Sequence, residues 1–223
     1  MKQHADIAER YRQQGHPQFW GIIAGTSGDA DEAQWLLGKY KQIGLADTHI
    51  QTVAFFHPQW APDSWEVATG DGKSIALTSA QPAYATTSTN GKFLDLPVVY
   101  AGLGSEADLA GRDVRDKAIL FFREGAGSST WPVTVLPRMQ SAGVAAIFMS
   151  DFRGGNLSTQ SYRANSNVPT FNLGTEDGLM LRDLIGKAPS GSPPHLKIRL
   201  DAKWGADQKL FLVWGRLPGA TGE

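Results

Sequence analysis

The chain has 223 residues, of which 41% are hydrophobic and 19% charged, with a formal net charge of −1 and no cysteine. That length and apolar content suffice for one large domain or two small ones with a real core, and the absence of a dense Lys/Arg run argues against a nucleic-acid face. Without cysteine there are no disulfides, thiolate nucleophiles or Cys-ligated zinc, and no stretch approaches the roughly 18 apolar residues of a membrane span.

Residues 1–10 are polar and charged and do not read as a signal peptide. The first 20 residues suggest a short helical lead-in, interrupted at Gly15 and Pro17. Asp29 followed by Glu32 predicts a capping box. Leu36, Tyr40 and Ile43 then form one apolar face, and Gly44 supplies the helix stop. Residues 50–56 read as a strand stopped by His57-Pro58. Residues 64–69 and 74–79 flank Gly70-Asp71-Gly72-Lys73, a hairpin signal. Residues 80–91, rich in Ser, Thr, Pro and Ala, predict a loop or ragged edge strand.

From Leu96 the texture changes. Short, nearly continuous apolar runs at 96–101, 118–122, 144–149 and 168–171 suit strands buried on both faces of a largely parallel sheet. Residues 133–142 predict a crossover helix closed by Gly143. Thr175 is expected to cap a helix carrying Leu179, Leu181, Leu184 and Ile185 and ended by Gly186. A linker at 189–194 leads to two final strands at 196–200 and 209–215.

Zinc needs three or four N, S or O ligands at suitable spacing. His4, His16, His49, His57 and His195 show no His-Glu-x-x-His pattern and no suitably placed Asp. Neither Gly25-Thr26-Ser27-Gly28 nor Gly125-Ala126-Gly127-Ser128 matches the nucleophile elbow of a serine hydrolase, and no phosphate-binding P-loop is present. Gly102-Leu103-Gly104-Ser105-Glu106-Ala107 follows a strand and fits Gly-x-Gly-x-x-Ala, with Glu124 near the place of a ribose-binding acid. The next strand begins too soon for a full crossover helix, however, which favours a tight turn and a surface loop. Asp113, Asp116, Asp151, Glu176 and Asp177 read as solvated turns and caps. Arg153-Gly154-Gly155-Asn156 and Tyr162-Arg163-Ala164-Asn165 share one long loop, a kind of segment that often carries function. Arg153, Asn156, Tyr162 and Arg163 are therefore the candidate contact residues. Asn156-Leu157-Ser158 is also a glycosylation sequon.

Leu96-Pro97-Val98-Val99-Tyr100-Ala101-Gly102, the stretch from Ala107-Asp108-Leu109-Ala110-Gly111 through Lys117-Ala118, Ser141-Ala142-Gly143-Val144-Ala145-Ala146-Ile147-Phe148 and Val168-Pro169-Thr170-Phe171-Asn172 together resemble the protease-associated domain. The flanks, residues 25–45 and Phe211-Leu212-Val213-Trp214-Gly215-Arg216-Leu217-Pro218-Gly219, resemble zinc exopeptidases of the glutamate carboxypeptidase and aminopeptidase type. The resemblance covers about residues 20–223. It implies an α+β chain: a swivelling β/β/α protease-associated domain at 75–200, with largely parallel buried strands and covering helices. Residues 1–74 and 201–223 are then an incomplete edge of a peptidase lobe.

In that family the zinc ligands begin in a His-x-Asp segment after the point where this chain stops, Glu223. The resemblance therefore implies a non-catalytic region with no catalytic or metal residues of its own, zinc being expected in an absent catalytic domain. It implies a role in shaping substrate access or recognising peptides, and a secreted or periplasmic location. The expected partners are a peptide substrate or protein, the catalytic domain, or a second copy of the chain joined through exposed edge strands near Phe55, Phe211 and Trp214. One departure stands out: residues 125–132 lack the arginine with which glutamate carboxypeptidases bind a substrate carboxylate. The alternatives are a free-standing protein-binding module and a small nucleotide-dependent enzyme built on residues 102–107.

Overall fold

The computed structural model describes residues 2–16, 21–54, 59–70, 72, 74–123, 131–157, 166–205 and 209–219. In chain order the first elements are α1 (Lys2–Gln13), α2 (Ser27–Gln42), β1 (Ala46–Ala54), β2 (Gln59–Thr69), β3 (Gln81–Pro82), β4 (Leu94–Tyr100) and α3 (Glu106–Leu109). Then come β5 (Ala118–Phe122), α4 (Trp131–Ser141), β6 (Ala146–Ser150), β7 (Thr170–Asn172), α5 (Thr175–Lys187), β8 (His195–Gly205) and β9 (Lys209–Arg216). The chain divides into two compact units, one made of Met1–Gln59 with Trp204–Glu223 and the other of Trp60–Lys203. The divisions thus fall at 59/60 and 203/204, whereas the sequence suggested 74/75 and 200/201.

In the first unit α1 buries Ile7 and Tyr11, and α2 starts one turn before its expected cap. Thr26 is the N-cap, its hydroxyl accepting from the Asp29 backbone at 3.4 Å. Asp29 stands three residues after Thr26, and its carboxylate accepts from Gly25 N at 2.8 Å. The Thr-x-x-Asp spacing therefore takes the cap from the Asp29/Glu32 pair. Gly44 does lie past the helix end with φ +83°, and Leu45 N donates to Tyr40 O at 3.0 Å. Ile43 leaves the expected apolar face, since the helix stops at Gln42 and Ile43 is 71% exposed. Strands β1 and β9 pair with each other, antiparallel, with His49 opposite Trp214 and Gln51 opposite Leu212. α2 packs on this ribbon. Phe55 lies outside the described residues.

The second unit is a seven-stranded sheet in the order β2-β8-β4-β5-β6-β7-β3. Its centre, β4-β5-β6-β7, is parallel, while β8 joins β4 and β3 joins β7 antiparallel. Every residue of β5, β6 and β7 is buried, as their unbroken apolar runs require of strands covered on both faces. Successive side chains of a strand alternate faces. Ile119, Phe121, Ile147 and Met149 pack with Leu136 and Met139 of α4. The alternating positions Phe122 and Ser150 meet Gly178 of α5. Phe148 stacks on Phe171 at 5.4 Å.

Three local expectations are corrected. The chain returns along β2 after Thr69, with Leu77 N donating to Val67 O at 2.8 Å, but among the described residues the return arm makes one bridge, Ala68 to Ala76, rather than a strand. Thr175 does not cap α5: Gly174 is the N-cap, and the Thr175 hydroxyl donates to Asp151 O at 2.8 Å. α5 also runs through Gly186 to Lys187. Among the described residues no helix is long and apolar enough to cross a membrane.

Candidate functional site

Parallel strands gather ligands at their carboxyl ends, where the connecting loops cluster. In this sheet those ends are Tyr100, Phe122, Ser150 and Asn172. The loop after β6 contributes most. Asp151, read from the sequence as a solvated turn, is only 8% exposed. Its Oδ2 lies 3.1 Å from Arg153 Nε and 3.5 Å from Arg123 Nη2, and its Oδ1 accepts from Arg153 N at 3.2 Å. Burial holds the Arg123 guanidinium below its ordinary pKa, Asp151 opposing that shift and Arg153 adding to it. One carboxylate thus faces two guanidiniums. Beside them Phe152, 58% exposed, stacks on Phe122 at 4.8 Å, and Tyr100 meets Phe122 edge-on at 6.1 Å. An aromatic surface next to arginines suits a peptide backbone and its side chains.

The four candidate residues separate. The Arg153 side chain is 43% exposed on this rim. Asn156 is turned inward: its Nδ2 donates to Asp177 Oδ1 at 3.0 Å, and its Oδ1 accepts from Asp177 N at 3.0 Å. Asn156 therefore fastens the loop to the first turn of α5. Its Nδ2, the atom a glycan would modify, is already in use. Tyr162 and Arg163 lie outside the described residues. Asp177 is 9% exposed rather than a solvated cap, and its Oδ2 accepts from Ser79 N at 2.9 Å and from the Ser79 hydroxyl at 2.7 Å. Sequence reasoning missed Arg123 and Phe152. Arg123 directly follows a fully buried strand, a placement that marks the strand's carboxyl end.

The Gly102 motif forms no nucleotide cradle among the described residues. α3 has only four residues, and its capping box is Ser105 with Asp108. Gly102 has φ +50°, and a Cβ there would sit 2.2 Å from Asp108 Oδ1. A Cβ on Gly104 would lie 2.8 Å from Met139 Cε and 2.9 Å from Val135 Cγ1. The two glycines therefore serve the turn and the close approach of α4. The Ser105 hydroxyl and backbone hold the Asp108 carboxyl below the usual carboxylate range. Glu124 lies outside the described residues.

The described residues contain no group of three or more His, Asp or Glu that could hold a metal ion. His4 meets Glu32, His195 Nδ1 lies 2.7 Å from Asp95 Oδ1, and His16 stacks on Tyr11. These residues do not fit a zinc site.

No family model and no curated protein matches the chain. Solved structures do. A zinc aminopeptidase from Bacillus subtilis matches with a TM-score of 0.63 and 18% identity, over 96% of this chain and 46% of that one. A peptidase M28 precursor from Shewanella amazonensis matches with a TM-score of 0.62 and 13% identity, over 94% of this chain and 49% of that one. An aminopeptidase from Aneurinibacillus sp. strain AM-1 gives 0.57 and 16%, over 98% and 50%. Nearly the whole chain therefore has the fold found in part of these peptidases, and it spans about half of their length.

Proposed function

We propose that the chain is the non-catalytic, protease-associated region of a zinc exopeptidase-like protein, which shapes substrate access or recognises peptide. The observation that carries this reading is the nesting of the chain. The unit Trp60–Lys203 lies in sequence between β1 and β9, and those two strands pair with each other. A domain inserted between neighbouring strands of a host lobe gives this arrangement, and the likeness to half of a zinc aminopeptidase supports the same reading. Within it, the central unit is the protease-associated module, with Arg153, Tyr162 and Arg163 as its peptide contacts and Asn156 as the anchor of their loop. Zinc belongs to the catalytic part, and the protein works outside the cytoplasm.

A two-stranded ribbon is marginal alone and its free edges accept further strands. Leu212 and Trp214 are exposed on this one. We read that surface as the place where the catalytic part continues the sheet, self-association of the isolated chain being the substitute when that part is missing. The reading is tested on the purified chain after equilibration with zinc. It should retain no stoichiometric metal and release no product from aminoacyl-nitroanilides, whereas the chain joined to its catalytic part should hold zinc and release product. One tightly held zinc with turnover in the isolated chain would overturn the proposal.

A further inference from the structure

We propose that the central unit carries a second binding surface, for an acidic peptide segment, in a groove between the end of β4 and the last turns of α5. The groove has a volume of about 710 Å³ and is lined by Tyr100, Arg112, Arg182, Asp183, Ile185 and Lys187, among others. That volume falls within the range of about 300–1,000 Å³ typical of ligand sites. It holds three cations and one carboxylate, in a chain whose overall charge is −1.

The cations are only partly neutralised by the groove's own carboxylate. Arg112 Nη1 donates to Tyr100 O at 3.1 Å, a neutral acceptor, and it acts at longer range on the Asp108 carboxyl, which Ser105 already holds. Arg182 Nη2 lies 3.2 Å from Asp183 Oδ1, with both side chains well exposed, the setting in which ion pairs contribute least. Lys187 stands in the last turn of α5, where the helix dipole favours a cation, and it forms no ion pair among the described residues. Ile185 and Tyr100 add apolar wall between the charges. A ligand matching this surface carries two or more carboxylates on an apolar framework. A peptide segment mixing Glu or Asp with aliphatic residues has that character, and inorganic phosphate does not. The proposal is independent of the peptidase reading, because it concerns binding by this chain alone.

The test is fluorescence anisotropy with a labelled hexapeptide alternating Glu and Leu, compared with its Gln counterpart. The acidic peptide is expected to bind about tenfold more tightly than the neutral one, and to weaken as salt rises. Arg182→Glu with Lys187→Glu should lose at least about tenfold in affinity. The milder pair Arg182→Gln with Lys187→Gln should weaken binding in the same direction and guards against disturbance of α5, while Lys92→Gln, exposed before the start of β4 and outside the groove, should leave it unchanged. Equal binding of the two peptides, wild-type affinity in both double variants, or displacement of the peptide by an equal concentration of phosphate would each overturn the proposal.

Discussion

Gly178→Ala is expected to lower the unfolding free energy of the central unit by about 2 kcal/mol. On propensity alone the opposite holds, since alanine in a helix interior is favoured over glycine by about 1 kcal/mol. Packing decides the sign. A Cβ on Gly178 would stand 2.3 Å from Ser150 Oγ, 2.6 Å from Ser150 Cβ and 3.2 Å from Phe122 Cζ, well inside the roughly 3.5–4.0 Å of an ordinary contact. Neither neighbour has room to retreat. Phe122 is fully buried, and Ser150 is 1% exposed, its hydroxyl directed to Gly174 O at 3.3 Å. Ser150→Gly removes both clashing atoms. On its own it costs about 1 kcal/mol as a strand-interior glycine, so the informative quantity is the coupling. Urea unfolding of the two single variants and the double variant should give an interaction of about 1 kcal/mol or more. A neutral or stabilising Gly178→Ala would show that α5 does not seat on β6 as described.

Asp177→Ala should destabilise still more, by about 3 kcal/mol. The carboxylate takes bonds from Ser79 N, the Ser79 hydroxyl and Asn156 Nδ2. Its removal takes a charged acceptor from all three donors, and each such loss costs about 1–3 kcal/mol before relaxation. The same change loosens the loop that holds Arg153, because Asn156 then keeps its bond from the backbone of residue 177 and a longer one to Thr78 Oγ1 at 3.4 Å. Asp177→Asn should rescue little: one amide hydrogen would face a donor whichever way the side chain turns. An effect within about 0.5 kcal/mol, as at an ordinary surface position, would contradict the network.

The sequence makes some of this legible and hides the rest for physical reasons. Ala118-Ile119-Leu120-Phe121-Phe122 announces a strand buried on both faces, and β5 occupies those five positions. The parallel centre of the sheet follows from four such runs separated by helical or looping segments. The caps of α2 and α5 were misplaced because several residues compete for one role. Thr26 and Asp29 both suit an N-cap, and Thr175 is equally able to donate to a neighbouring loop, as it does to Asp151. The site was the least legible part. Ser79 and Asp177 meet across 98 positions, and Asp151 is drawn inward by arginines on either side of it in space. Nothing in local composition separates such buried carboxylates from solvated ones. The β1–β9 pairing is equally nonlocal, and only the likeness of the flanking segments to a peptidase lobe hinted that they belong together.

The account rests on the chain being one region of a larger peptidase-like protein, and the most direct measurement is the intact mass of the native protein captured from its source cells. The account predicts a mass well above the 24.1 kDa of these 223 residues, accompanied by zinc. A native mass equal to that of this chain would contradict it and leave a binding module that works without a catalytic partner in the same polypeptide.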